Sequence, residues 1–213
     1  MHEKTQIDTP ENFLSSAEKT SHLDKSFSEL NCNTGTLQNK IFENCTFLHC
    51  NFDDAKLINC KFIDCEFNNS TLNTIELTNT KFSDVVFNNS KLMGINWATA
   101  KWPQIKLSSL INFYCCNISH SSFFGLNLSE INIQDCKATD VDFREADLSR
   151  ANFTNTDLYQ SLFIHTKLER ADLSRAINYN IDIKLNEVKK AKFSFPDVMA
   201  LLQHFEIEIT NFS

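Results

Sequence analysis

Residues 42–67 read FENCTFLHCNFDDAKLINCKFIDCEF. A large apolar residue recurs every five positions in this stretch, at Phe42, Phe47, Phe52, Leu57, Phe62 and Phe67. A small residue lies three positions after most of them, at Cys45, Cys50, Ala55, Cys60 and Cys65. Five steps along an α-helix would rotate each Phe by about 140° from the last, and five steps along a flat strand would alternate its face. The spacing therefore predicts a solenoid in which a short extended piece and a bend repeat every five residues.

The period of five runs through most of the chain. Backward it reaches Phe27, and forward it reaches Leu107. After one extra residue the phase resumes at Phe113 and continues to Leu173. Of the 19 Phe residues, 14 lie on this phase when Phe193 is included, which indicates that they point inward. Pro103 precedes the phase break and lacks the N–H of a ladder hydrogen bond, so we expect a bulge or kink there that divides the rod.

Three segments show the repeat most clearly: residues 146–150 (ADLSR), 151–155 (ANFTN) and 171–175 (ADLSR). They resemble the A-[D/N]-[L/F]-[S/T/N]-x signature of pentapeptide-repeat proteins. The resemblance covers roughly residues 26–193 and implies an all-β, right-handed quadrilateral β-helix with about 20 residues per coil. Twenty-eight repeats between Leu37 and Leu173 would then form seven coils in a rod of roughly 34 Å.

The two ends of the chain lie outside the predicted β-helix. Residues 1–25 form an N-terminal extension, in which Thr9 and Pro10 are typical of the first positions of a helix. This extension either caps the first coil or is disordered. Residues 194–213 are expected to form a short α-helix with Ser194 as N-cap, followed by a short strand over residues 206–209.

The C-terminal segment carries apolar residues that need a partner. An apolar stripe at helical spacing and two alternating strand residues make up the predicted interface: Phe195, Val198, Met199, Leu202, Phe205, Ile207 and Ile209. They either cap the last coil or pair with a second copy across a two-fold axis. The segment resembles the C-terminus of the quinolone-resistance (Qnr-type) branch of the family, which implies a homodimer.

Composition excludes several classes of protein. The net charge of −7 argues against direct, nonspecific nucleic-acid binding. No apolar run is long enough to span a membrane, and the N-terminus lacks the apolar core of a signal peptide. We therefore expect a cytoplasmic protein. With three Gly in the chain, a glycine-rich phosphate loop is not expected either.

The eight cysteines do not indicate chemistry, because their phase places most of them inside the rod. Six occupy the small inward position two residues before the large apolar one, where a free Cys acts as a small buried hydrophobe. Cys45 and Cys65 should stack about 4.8 Å apart, a separation that a disulfide could bridge, although a cytoplasmic chain would keep the thiols. No CxxC, HExxH or nucleophile-elbow motif is present. We predict no catalytic residue, no metal and no cofactor.

Outward charges give the remaining clues. Lys61, Lys81 and Lys101 are twenty residues apart and should form one column, which we interpret as a solvated face rather than an anion site. Past the phase break, an aspartate occupies the position just before the central apolar residue in four repeats, at Asp142, Asp147, Asp157 and Asp172.

The family resemblance implies a partner for these carboxylates. Qnr-type proteins resemble duplex DNA in shape and charge, and they bind DNA gyrase or topoisomerase IV. By that resemblance, the four aspartates are candidate partner-facing residues and a type II topoisomerase is the candidate partner. The alternative is a structural or scaffolding module for an unknown protein. A continuous negative face along the rod would favour DNA mimicry, whereas patches of both signs would favour the alternative.

Overall fold

The computed structural model describes residues 18–103, 110–205 and 207–208. These residues form a right-handed β-helix of about eight coils. Its strands are β1 (Thr20–Leu23), β2 (Ser26–Ser28), β3 (Thr36–Gln38), β4 (Lys40–Glu43), β5 (Thr46–Leu48), β6 (Lys56–Ile58), β7 (Lys61–Ile63), β8 (Glu66–Asn68), β9 (Lys81–Ser83), β10 (Val85–Asn88), β11 (Ile111–Tyr114), β12 (Ile133–Gln134), β13 (Asp172–Leu173) and β14 (Lys192–Phe193). Two 3₁₀ helices, Trp97–Thr99 and Asp197–His204, complete the regular structure.

The rod has four faces, which we name A to D in chain order. Face A contains β1, β4, β7 and β9, and face B contains β2, β5, β8, β10, β11 and β12. Face C is the next side, where single parallel bridges such as Asn51↔Thr71 join the coils. Face D contains β3 and β6. All paired strands are parallel, and before the break each residue lies beside the residue twenty positions later, as Phe42 lies beside Phe62.

Stacked aromatic rings fill the interior. The Phe42 and Phe62 rings are stacked with centroids 5.0 Å apart, and the Phe62 and Phe82 rings with centroids 5.6 Å apart. The small inward residues close the corners, and their polar atoms bond the backbone. Thr80 Oγ1 donates to the Leu57 carbonyl at 2.8 Å and accepts from the Cys60 amide at 3.3 Å. The repeat therefore alternates a bulky core residue with a small one that satisfies buried peptide groups.

Each repeat bends at the residue two positions after the central apolar one. Among the described residues, 28 non-glycine residues have positive φ, and nearly all of them occupy this position. Asn and Asp tolerate the left-handed region best, which explains their abundance there. The ladder holds the bend in place, because the Asn44 amide donates to the Ile63 carbonyl of the next coil at 2.9 Å.

The predicted N-terminal boundary is wrong by about one repeat. The β-helix begins no later than Thr20, which pairs with Lys40, rather than at residue 26. His22 occupies the central inward position and stacks on Phe42 with ring centroids 5.0 Å apart. A histidine at that position hid the repeat from a search for apolar residues. The predicted helix start at Thr9 lies outside the described residues.

The phase break is an insertion of six residues, not one. Across it, Val85 lies beside Ile111, an offset of 26 instead of 20. Six residues are one full period of five plus one more, so an insertion of six shifts the phase as an insertion of one does. Leu107, predicted to be a central residue, lies outside the described residues.

The insertion does not divide the rod, contrary to expectation. Face B continues through β10 and β11, and the bridges Lys91↔Asn117 and Asn96↔Ser122 carry faces C and D across. Face A is different. The Lys101 amide bonds the preceding coil, but within the described chain no backbone hydrogen bond joins residues 101–103 to residues 127–129. One ladder is interrupted while three hold the rod together.

The C-terminal helix is 3₁₀ rather than α. It spans Asp197–His204 and has no side-chain N-cap. The predicted cap, Ser194, instead uses its Oγ to accept a hydrogen bond from the Arg175 amide of the last coil at 3.0 Å. The helix contacts the core through Ala200 and Leu201. Of the predicted strand over residues 206–209, only residues 207 and 208 are described, and they are not in a strand.

We expect Phe62→Ala to lower the free energy of unfolding by about 3–5 kcal/mol, because it removes a ring from the middle of the stack. Phe62 is 1% exposed and touches rings on both sides. Leu48→Ala, at an exposed residue of β5, is the matched control and should change stability by less than about 1 kcal/mol. Urea denaturation measures both, and equal effects would contradict the stacked core.

Candidate protein-interaction surfaces

The four predicted aspartates do not form one surface. Bridges place them on separate faces: Asp142 beside Ser122 on face D, Asp147 beside Asn127 on face A, Asp157 beside Lys137 on face C, and Asp172 beside Asn152 on face B. Only residues separated by a multiple of twenty stack in this half of the rod, and no two of the four are so related. A shared place in the repeat therefore does not mean a shared face.

These aspartates bond their own turns. Asp147 and Asp172 each accept a hydrogen bond from the backbone amide two residues later at 3.0 Å. Asp142 accepts two hydrogen bonds from the Arg144 guanidinium, at 2.9 and 2.8 Å. The hydrogen bonds from Arg144 hold the pKa of Asp142 below its ordinary value, although partial burial raises it. Such local bonds are typical of turn residues.

The predicted lysine column is present on face A. Lys61 lies beside Lys81, and the Lys101 amide bonds the Thr80 carbonyl at 2.8 Å, which stacks Lys101 on Lys81. None of the ion pairs among the described residues includes any of the three. Three like charges thus stand about 4.8 Å apart along the rod.

A cleft of about 400 Å³ opens beside this column. Its apolar lining comes from Phe62, Phe82 and Trp102, with Pro103 and Leu110 at the end where the insertion leaves the coil. Trp102 is half-buried, and its indole N–H donates to the Trp97 carbonyl at 2.8 Å. The cleft lies where the face A ladder is interrupted.

An acidic strip runs along the edge between faces A and B in the first half of the rod. We define it as Asp24, Glu43, Asp64, Glu66 and Asp84. Asp64 stacks between Asn44 of the preceding coil and Asp84 of the next coil. The Asn44 amide donates to the Ile63 carbonyl and the Asp64 amide donates to the Ser83 carbonyl, each at 2.9 Å. This strip was not predicted from the sequence, although the twenty-residue spacing that revealed the lysine column also reveals it.

Past the insertion the same edge carries both signs, because Glu130 and Glu169 lie on it beside basic residues. There Arg150, Arg170 and Lys190 occupy the positions that Asp24, Asp64 and Asp84 occupy in the first half. Arg150 also forms an ion pair with Glu130 of the preceding coil at 2.7 Å. In the part of the chain that is described, negative charge therefore does not continue along the rod, and each sign occupies short patches. Patches of both signs favour a protein-interaction module over DNA mimicry along the whole rod.

The predicted C-terminal interface is partly exposed. Phe195 is 82% exposed and Ile207 55%, whereas Val198, Leu202 and Phe205 are half-buried. Met199 is exposed, and Ile209 lies outside the described residues. A shallow cleft beside His204 adds three exposed side chains of the last coils to this surface, namely Leu162, Ile164 and Leu185. The structure thus leaves a large apolar surface at the C-terminal end.

The cysteines are mostly buried and unreactive. All eight are free, and Cys115 alone is exposed. Burial raises the pKa of the Cys32 thiol to about 12 and that of Cys116 to about 11. The hydrogen bond with Cys45, together with burial, raises the pKa of Cys65. Raised pKa values keep these three thiols protonated, and hence poorly nucleophilic, near neutral pH. The same hydrogen bond lowers the pKa of Cys45 to about 7, so burial rather than protonation shields that thiol, which is 1% exposed.

We expect a thiol reagent at neutral pH to label one cysteine of the native protein, Cys115, and all eight after denaturation. Intact-mass spectrometry gives both counts. Cys115→Ser should abolish labelling of the native protein. Rapid labelling of more than one thiol in the folded wild type would contradict the inward placement of the others.

Neither a metal centre nor a membrane span was found in the described ranges. No group of three or more His, Cys, Asp or Glu residues there could hold a metal ion. No helix there has the length and apolar character needed to cross a bilayer.

Residues 35–110 and 95–173 match the family model described as a pentapeptide repeat region. The chain therefore belongs to the pentapeptide-repeat proteins. No curated protein sequence matches it.

Two solved structures of QnrB1 share the fold at low sequence identity. Trypsin-treated QnrB1, a plasmid-mediated fluoroquinolone resistance protein, has a TM-score of 0.57 and 14% identity, over 90% of this chain and 98% of that one. Full-length QnrB1 has a TM-score of 0.50 and 16% identity, over 88% of this chain and 100% of that one. HetL from the cyanobacterium Nostoc, involved in heterocyst differentiation regulation, has a TM-score of 0.39 and 16% identity, with 81% and 82% of the two chains covered.

Proposed function

We propose that this protein is a non-enzymatic rod that binds another protein through its charged edges. The observation that carries the proposal is the fixed register of the outward side chains. Lysine, carboxylate and arginine patches stand at defined places on a rigid ladder. Such an arrangement favours one complementary protein surface over others, because mismatched charges are costly at an interface.

The partner class that we propose is a type II topoisomerase, DNA gyrase or topoisomerase IV. The support is the resemblance to the quinolone-resistance branch and the shared fold with QnrB1. The acidic strip is the surface we assign to this contact, in place of the four aspartates that lie on separate faces. The strip places a carboxylate in each of four successive coils, about 4.8 Å apart along the rod, compared with the 3.4 Å phosphate spacing of one DNA strand.

A gyrase supercoiling assay tests this proposal, with purified protein titrated in the presence and absence of a fluoroquinolone. We expect inhibition, or relief of the drug effect, at low micromolar protein. The variant Asp64→Asn with Glu66→Gln should weaken that effect several-fold, because it removes two charges from the strip without changing side-chain shape.

Glu145→Gln is the matched control for that variant, since Glu145 bends the chain in the same way on another face. It should leave the effect unchanged. No effect of the wild type at a large excess over gyrase would reject the topoisomerase as partner. Equal effects of the strip variant and the control would reject the acidic strip as the contact surface.

We further propose that two copies associate through the exposed apolar surface at the C-terminal end, and that the protein works in the cytoplasm. The exposed rings and aliphatic side chains support the association of two copies, since large apolar patches mark interaction sites. The eight free cysteines are consistent with a reducing compartment.

Light scattering tests the proposed dimer. Phe195→Glu should convert the dimer to a monomer with little change in melting temperature, because Phe195 is exposed within one chain. Leu23→Glu is the matched control at the opposite end of the rod, where Leu23 is also exposed, and the dimer should persist. A wild-type protein that has the mass of a single chain would refute the dimer.

A further inference from the structure

We propose that the lysine column and the adjoining apolar cleft form a second docking site, whose occupant is an acidic, extended peptide segment of a protein partner. The inference rests on the proposed protein-binding role but not on the topoisomerase contact, because it uses the opposite edge of face A. Lys61, Lys81 and Lys101 bind the carboxylates, and a large apolar side chain of the peptide enters the cleft.

The lysine column carries positive charge that no neighbouring carboxylate pairs with in the described chain. Three stacked ammonium groups repel one another, and none of them takes part in an ion pair within the described chain. Elsewhere on the rod, cations stack next to carboxylates, as Lys56 does with Glu76 at 3.1 Å and Lys192 does with Asp172 at 2.9 Å. The column is therefore an uncompensated cationic surface that an anionic partner would neutralise.

The apolar cleft lies directly against the lysine column. Lys61, Lys81 and Lys101 also line it, so the charges and the apolar lining belong to one surface. Its aromatic lining continues the core stack, because the Phe82 and Trp102 rings pack with centroids 6.3 Å apart. Docked apolar side chains gain most where they leave water completely, and a cleft of about 400 Å³ has room for one large side chain.

Spacing and charge select a peptide over a nucleic acid. Side chains on one face of an extended peptide are about 6.8 Å apart, so two carboxylates two residues apart can reach neighbouring lysines, whose stems are flexible. The acidic strip lies on the other edge of face A, where Asp64 and Asp84 follow Lys61 and Lys81 by three residues. A phosphate backbone running across this face would be repelled by that strip, whereas a short peptide along the lysine column avoids it.

Fluorescence anisotropy tests the site with a labelled probe peptide, Glu-Asp-Glu-Phe-Asp-Glu-Asp, at low ionic strength. Wild-type protein should bind it, and added salt should weaken the binding. Lys81→Glu should raise the dissociation constant at least tenfold, and Trp102→Leu several-fold. Lys91→Glu is the matched control on face C, where its stacking neighbours Thr71 and Asn117 are uncharged, and it should change the constant less than twofold.

Melting temperatures separate binding from folding. Lys81→Glu replaces a like charge in the column, so its melting temperature should be no lower than that of the wild type. No binding up to millimolar probe, or equal binding by Lys81→Glu and the wild type, would overturn the site.

Two further probes distinguish the occupant. A peptide with Ala in place of Phe should bind more weakly, and a labelled DNA duplex should bind more weakly than the acidic peptide. Tighter binding of the duplex would overturn the assignment to a peptide. Failure of the peptide to bind would not reject the topoisomerase proposal, because the gyrase assay tests the acidic strip with a variant that keeps all three lysines.

Discussion

The stacking of large apolar side chains every twenty residues is the constraint on which the rest of this structure depends. Each buried Phe removes a large apolar surface from water, worth about 1.5–3 kcal/mol, and each ring pair adds about 0.5–1.5 kcal/mol. A backbone hydrogen bond contributes about 1 kcal/mol net. The ring stack therefore sets the register, and the ladder follows it. Outward side chains inherit that register, which is why charges occur in columns.

The bends set a second constraint, because every coil needs four residues that turn it. An L-residue in the left-handed region costs roughly 1–2 kcal/mol, and glycine would avoid that cost. The chain has three Gly, so nearly every bend uses another residue, including Arg150 and His165. Most bend residues donate their amide to the next coil, as Arg150 does to Glu169 at 2.8 Å. Coil stacking thus maintains a conformation that a single repeat could not hold, as expected of a solenoid.

The period of five predicted a solenoid, because neither a helix nor a flat strand keeps every fifth residue on one side, and the family resemblance implied its four sides. The sequence did not predict features that depend on more than the period. The size of the insertion was not predicted, because an insertion of six residues shifts a five-residue period by the same amount as an insertion of one. The start of the rod was lost because His22 is polar. The aspartates were misgrouped because place in the repeat fixes inward or outward direction, while the face depends on position within the twenty-residue coil. The N-cap was mispredicted because the Ser194 hydroxyl accepts a hydrogen bond from the Arg175 amide instead, a tertiary contact that helix signals do not contain.

The position of the insertion connects the fold to its candidate surfaces. Six extra residues at the corner between faces A and B interrupt one ladder and leave three continuous. The interruption removes only a few backbone hydrogen bonds, each of which contributes about 1 kcal/mol to stability, so the rod keeps its core. It also leaves Trp102 beside a cleft, next to the lysine column. A four-sided solenoid can therefore open one side for binding while the other three preserve its rigidity.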